Sequence, residues 1–128
     1  LYIAGQGTVV SELNKVTKGA VLAKTGAEGI LTAALPERGL GIAVKITDGS
    51  ARARSVALLA ILDHLDALSD EEKHKLQAHI LPTLVNSTGL AVGEIRPAAS
   101  WLRDSTVIEL NENRRNINRK GFQGKRGR

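Results

Sequence analysis

Cysteine and methionine are both missing from this chain of 128 residues, and tryptophan, tyrosine and phenylalanine occur once each. Without cysteine the chain can build neither a disulfide framework nor a thiolate metal site, and the absence fits a reducing compartment such as the cytoplasm. With so few aromatic rings, a core must come from Ala, Val, Leu and Ile, and an apolar content of 42% is enough to build one. No apolar run reaches the roughly 20 residues that a membrane-spanning helix needs, and no secretory leader pattern is visible. The length suggests one domain at most. A first residue of Leu1 and the lack of any Met hint at a processed chain or a fragment of a longer protein.

Charge is unevenly placed along the chain. Residues 113–128 carry seven basic side chains and no acidic one, whereas the other 112 residues hold 11 basic and 13 acidic groups. The formal charge of +5 therefore belongs to the tail, and the body is close to neutral. The tail, RRNINRKGFQGKRGR, spaces its basic groups with Asn and Gly around a lone Phe122. Non-specific phosphate binding is one use for such a segment. A terminal tail that is disordered in isolation is the favoured reading, because no folded basic face or stacking platform accompanies it.

The body is organised around 23–50, AKTGAEGILTAALPERGLGIAVKITDGS. Two apolar runs of strand length, 29–35 and 40–46, are joined by Pro36-Glu37-Arg38-Gly39, the pattern of a β-hairpin. Both runs are apolar at nearly every position, which predicts a sheet covered on both faces. Lys45 is the exception, and a structural pair with a carboxylate such as Asp48 is its favoured explanation. Ala20–Thr25 is a third strand candidate. A short helix is expected from Thr8 or Ser11 to before Gly19. Beyond Gly49, Ser50 is a suitable N-cap, and Leu58, Ile61, Leu62, Leu65 and Leu68 recur at helical spacing. Arg52 and Arg54 fall in the first turns of that helix, where the dipole disfavours cations. Ser69-Asp70-Glu71-Glu72 is a capping box opening a helix that runs to about Leu81 and stops at Pro82. Val85–Pro97 reads as two extended pieces around a turn at 86–89, forming an edge hairpin that returns to the sheet. Trp101-Leu102 and Val107-Ile108 can anchor one more short element.

Lys24-Thr25-Gly26 carries the first chemical signal. A Lys-Thr/Ser-Gly triplet opening a strand resembles that of the penicillin-recognising and serine β-lactamase enzymes. There the lysine supplies a fixed charge near the nucleophile, the hydroxyl binds a carboxylate, and a backbone N–H beyond the glycine serves an oxyanion hole. Gly, lacking Cβ, lets substrate approach the strand. The usual companion, Ser-x-x-Lys, is found nowhere in these 128 residues. His74 and His79 are five apart and no acidic ligand completes a zinc pattern, so these and His64 read as solvated helix histidines.

The longer context is more specific. Ala4-Gly5-Gln6-Gly7, Ala23–Gly29, Gly39–Gly49, Arg52-Ala53 and Asn86–Pro97 follow in order and spacing a pattern that resembles the rhizobial-type (class 3) L-asparaginases, the asparaginase II family. The resemblance covers Leu1 to Pro97. It implies an α/β (α+β) fold of β-lactamase and glutaminase type, a mixed sheet with packed helices, of which this chain is a C-terminal portion. It implies conversion of L-asparagine to L-aspartate and ammonia through a serine acyl-enzyme, with the serine outside these residues. By residue, it gives Lys24 the catalytic role of the charge tuning a second active-site serine, and makes Thr25, Gly26, Ala27 and Glu28 the substrate-binding segment, with an N–H such as that of Ala27 helping the oxyanion. Glu28 is equally readable as bonding the backbone of its own turn. Some family members hold zinc through cysteines and a lysine; this chain has no cysteine, so no cofactor is expected within it. Where the family carries an Arg and an acid or cysteine, Thr8 and Val9-Val10 stand here, and Thr47 replaces the first acid of an Ile-Asp-Asp-Gly.

The expected organisation is thus an asparaginase-like portion over 1–97 and an extension over 98–128, its basic part from 113 flexible. L-asparagine, a missing N-terminal half and a second copy in a homodimer are the expected partners, with no membrane and no nucleic acid. The competing reading is a small non-catalytic α/β module that binds nucleic acid or an acidic partner through its tail.

Overall fold

The structure, a computed structural model, describes residues 7–98 and 100–102. Thr8 caps the first helix, α1 (Val9–Val16), by accepting from the Ser11 N–H through its side chain. The chain leaves α1 through Lys18 and Gly19, both at positive φ. Three antiparallel strands follow in spatial order, β1 (Leu22–Thr25), β2 (Ile30–Leu35) and β3 (Leu40–Lys45). A single 3-10 turn at Pro36–Arg38 joins β2 to β3, and Gly39 at φ 63° lets the chain reverse. Ser50 caps the long helix α2 (Ala51–His64). The expected second helix is two: α3 (Asp70–Lys75), opened by a complete Ser69/Glu72 capping box, and α4 (Gln77–Ile80). The break falls at Leu76, which is buried to 0% exposure. Burying that side chain there takes precedence over continuing one straight helix.

Side chains alternate across a strand, so packing one residue inward commits the next outward. Pairing sets Ala23 opposite Ala33 and Ile42, and Thr25 opposite Leu31 and Val44. On this face Ala23, Leu31, Ala33, Leu35 and Val44 are buried, in one core with Val10 and Leu13 of α1 and Leu58, Leu59 and Leu62 of α2. The opposite face carries Leu22, Lys24, Ile30, Thr32, Ala34, Gly41, Ala43 and Lys45, none of them buried. The sheet is therefore covered on one face by the described residues, not on both. The apolar runs misled because small residues, Ala34, Gly41 and Ala43, occupy the bare face and read as core.

Two further expectations are corrected. The 83–94 segment forms its own two-stranded antiparallel sheet, β4 (Thr83–Val85) with β5 (Ala91–Glu94), and does not return to the first sheet. Its turn is closed locally: Asn86 Oδ1 accepts from the N–H groups of Thr88 and Leu90 at 3.0 and 2.9 Å, so it needs no neighbour to set its shape. Every residue of the two strands is exposed. The fold class is α+β, as the sequence indicates. The chain divides into units Leu1–Ala98 and Ala99–Arg128. In the second unit Ser100–Leu102 form a turn; Val107-Ile108 and the basic tail lie outside the described residues. Among the described residues no helix is long and apolar enough to cross a membrane.

Among the described residues the one buried polar side chain, Thr17, is satisfied: its hydroxyl donates to the Leu13 carbonyl at 2.9 Å and accepts from the Val21 N–H at 3.2 Å. This fastens the end of α1 to the residue before β1. Arg38 donates to the carbonyls of Leu65 and Asp66, tying the hairpin tip to the end of α2. Lys73 donates to Asp63 Oδ1 at 3.0 Å and lies 3.3 Å from Asp70, linking α3 to α2.

Two outcomes follow. Leu62→Ala removes a side chain with no exposure from the centre of the core and should destabilise by about 2–5 kcal/mol in urea denaturation. The hydrogen bonds from Lys73 to Asp63 and then to Asp70 raise the lysine pKa. A raised pKa means that the link stabilises below the ordinary lysine range and is lost as pH rises through the raised value. The small loss of Tm from Lys73→Met at neutral pH should therefore shrink as pH is raised beyond the ordinary lysine range, as thermal melts at neutral and at strongly alkaline pH would show.

Candidate functional site

The end of β1, the turn after it and the start of α2 meet around residues 24–29. Lys24 stands on the bare face of the sheet, opposite Thr32, whose hydroxyl donates to the Lys24 carbonyl at 3.2 Å. Its ammonium donates to the Thr25 carbonyl at 2.8 Å, and no carboxylate of the described residues pairs with it. A cation without a carboxylate partner keeps its field available to whatever approaches that face. Thr25 is opposite Leu31 and half-buried, on the core side of the last β1 position. Strand alternation thus places Lys24 and Thr25 on opposite sides.

Gly26 opens the turn by donating to the Ile30 carbonyl at 3.0 Å, and Ile30 donates back to Ala27 at 3.2 Å. A Cβ on Gly26 would lie 3.1 Å from both Cβ and Cγ2 of Ile30, so a larger residue here fits only if the Ile30 side chain gives by a few tenths of an ångström. Glu28 and Gly29 adopt positive φ, 53° and 74°. At Gly29 the requirement is sharper, because an added Cβ would lie 3.0 Å from the Gly49 carbonyl carbon and 3.1 Å from Ile46 Cβ. The 25–30 turn and the 46–50 turn press backbone against backbone, joined by an Ile46 N–H donating to Gly29 O at 3.2 Å.

All four carbonyls of this turn are occupied. Gly26 O accepts from Arg54 at 3.3 Å, Ala27 O from Ile30, Glu28 O from Lys45 and Gly29 O from Ile46. Among the described residues the N–H groups of Ala27, Glu28 and Gly29 have no acceptor. Successive unsatisfied N–H groups beside αL residues make a place for negative charge. Lys45 therefore has a partner other than the expected Asp48: its ammonium crosses from β3 to the Glu28 carbonyl, while Asp48 lies 3.5 Å from Arg52. The register opposing Lys45 to Ile30 brings it within reach of the turn. Among the described residues the Glu28 carboxylate makes no hydrogen bond or ion pair, so it does not bond its own turn.

Asn14 was not legible from sequence pattern. From α1 its Oδ1 accepts from the Ala23 N–H at 2.8 Å and its Nδ2 donates to the Ala23 carbonyl at 3.5 Å. This pins the middle of β1 one residue before Lys24. Arg54 did leave a signal, its awkward charge at a helix start. The zinc site of some asparaginases does not fit these residues. No cysteine is available, and no group of three His, Cys, Asp or Glu among the described residues is placed to hold a metal.

A lysine on a bare sheet face thus stands beside a turn whose carbonyls are tied and whose N–H groups are spare, an arrangement that can receive negative charge. The family model for L-asparaginase II matches residues 1–97, and the chain belongs to that family. Its function is of asparaginase type in that broad sense. No curated protein matches the chain.

Gly29→Ala forces a side chain into αL geometry against the Gly49 backbone. It should cost at least about 1–2 kcal/mol, whereas Gly41→Ala, with nothing within 4 Å of its Cβ position, should be near neutral on the same denaturation curve.

Proposed function

We propose that this chain carries the lysine-bearing strand of a serine-dependent L-asparagine amidohydrolase. The observation that carries the reading is the 24–29 segment: an ammonium on a sheet face that no described residue covers, beside three N–H groups with no acceptor among the described residues, in a member of the L-asparaginase II family. In this reading a serine from outside these 128 residues attacks the side-chain amide of L-asparagine. The carbonyl oxygen gains negative charge, and the Ala27 N–H donates to it. Lys24 holds positive charge near a second serine hydroxyl and favours its deprotonated form, so that the hydroxyl proton passes to the amide nitrogen as the C–N bond breaks and ammonia leaves, and the attacking serine's proton replaces it. Water then cleaves the aspartyl ester and releases L-aspartate. Glu28, with its carboxylate unpaired, lies at the pocket wall and can meet the substrate ammonium. Gly26 keeps the wall low, and Thr25, at the end of β1, meets substrate from the strand end, not across the Lys24 face.

The surrounding architecture is read as β-lactamase-like. Residues 1–97 form the asparaginase-like portion and 98–128 an extension. The uncovered sheet face of Leu22, Ile30 and small residues then receives the remaining part of the enzyme, with a homodimer as the working assembly and the cytoplasm as its place. No step is routed through a metal.

Lys24→Ala in the complete protein should lower ammonia release from L-asparagine by about 100-fold or more, the scale of losing one preorganised charge at a reacting centre, while circular dichroism and Tm stay close to wild type. Activity unchanged in a folded Lys24→Ala protein would overturn the reading.

A further inference from the structure

Arg54 is the feature that the reading above leaves unused. It lies on the fourth residue of α2, where the helix dipole disfavours a cation, and it forms no ion pair among the described residues. Arg52, two residues earlier, behaves as a surface charge, 70% exposed and 3.5 Å from Asp48. Arg54 is half-buried, and its Nη1 reaches back 28 positions along the sequence to the Gly26 carbonyl at 3.3 Å.

Through that carbonyl a side chain of α2 hydrogen-bonds the turn. Lys45 holds Glu28 O from β3, and Ile46 holds Gly29 O from the chain leaving β3. The three donors come from outside the turn and all grip carbonyls. A peptide plane whose C=O is fixed has its N–H fixed on the opposite side, because the six atoms are coplanar. The Gly26 carbonyl shares its plane with the Ala27 N–H. Holding Gly26 O therefore aims Ala27 N–H, and holding Glu28 O aims Gly29 N–H. Arg54 also draws the N-terminal turn of α2 toward the strand end that bears Lys24.

We propose that Arg54 is a positioning residue, which through its bond to Gly26 O orients the Ala27 N–H toward the developing negative charge of the reaction. The inference rests on the asparaginase reading for its catalytic consequence, and on the Gly26 bond alone for its structural one.

The test compares wild type, Arg54→Ala, Arg54→Lys and Arg52→Ala in the complete protein, reading ammonia release from L-asparagine and amide hydrogen exchange at Gly26, Ile30 and Ile46. Arg54→Ala should lower kcat on the order of 10- to 100-fold with a much smaller change in KM, and should speed exchange at those three amides but not at Leu31 or Val44. Arg54→Lys should restore both readouts in part, and Arg52→Ala, which removes the same charge nearby, should change neither. A drop in Tm with kcat and local exchange unaltered makes Arg54 merely structural and overturns the proposal. If wild type releases no ammonia, the asparaginase reading falls, and the exchange comparison alone decides whether Arg54 sets the turn.

Discussion

The alternation of side chains along β1–β3 is the constraint from which the rest follows. Once Leu31, Ala33, Leu35 and Val44 face α1 and α2, their neighbours have no choice of side. Lys24 and Lys45 are placed on the bare face by the same pairing that closes the core. A slip of one residue would bury both ammonium groups and expose Leu31, so the hydrophobic register and the location of the charges are a single property of the hairpin. Deep burial of Leu58, Leu59 and Leu62 against it makes that register costly to leave.

Around this sheet the 25–30 turn is held by unlike interactions that converge. Gly29 meets the Gly49 backbone at a separation that leaves no room for a Cβ on Gly29, and this brings the two turns into backbone contact. Lys45 and Arg54 reach the same turn from β3 and α2. Cations donating to carbonyls avoid the long-range partner that a carboxylate would require, and they leave the amide side of each peptide plane facing outward. The rigidity of the turn and its capacity to receive negative charge have one origin.

Much of the scaffold was legible in sequence. Turn residues, the Thr8 and Ser50 caps and the Ser69/Glu72 box report on neighbours three or four positions away, and such local chemistry survives into the structure. The order of motifs from Leu1 to Pro97 likewise pointed to the family that the match over 1–97 shows. What failed to show was long-range. Apolar composition alone cannot say which face of a sheet is covered when Ala and Gly occupy the bare one. Lys45 was given a carboxylate because charge suggests charge, yet the cross-strand register delivered a carbonyl. The helix break at Leu76 depends on a core position that no pattern within 69–81 encodes. Asn14 is a polar residue on a surface helix until β1 is laid beside it.

That same Asn14 has a consequence for assembly. β1 is an edge strand, and an edge offers its outward N–H and C=O groups as a template on which a foreign strand can add. At Ala23 both groups are taken by a side-chain amide that imitates the peptide of a neighbouring strand. The sheet is thus stoppered at the middle of β1, whereas among the described residues no side chain bonds the backbone of β3 in this way. A single asparagine makes the sheet polar in how it can extend, much as a cap does for a filament.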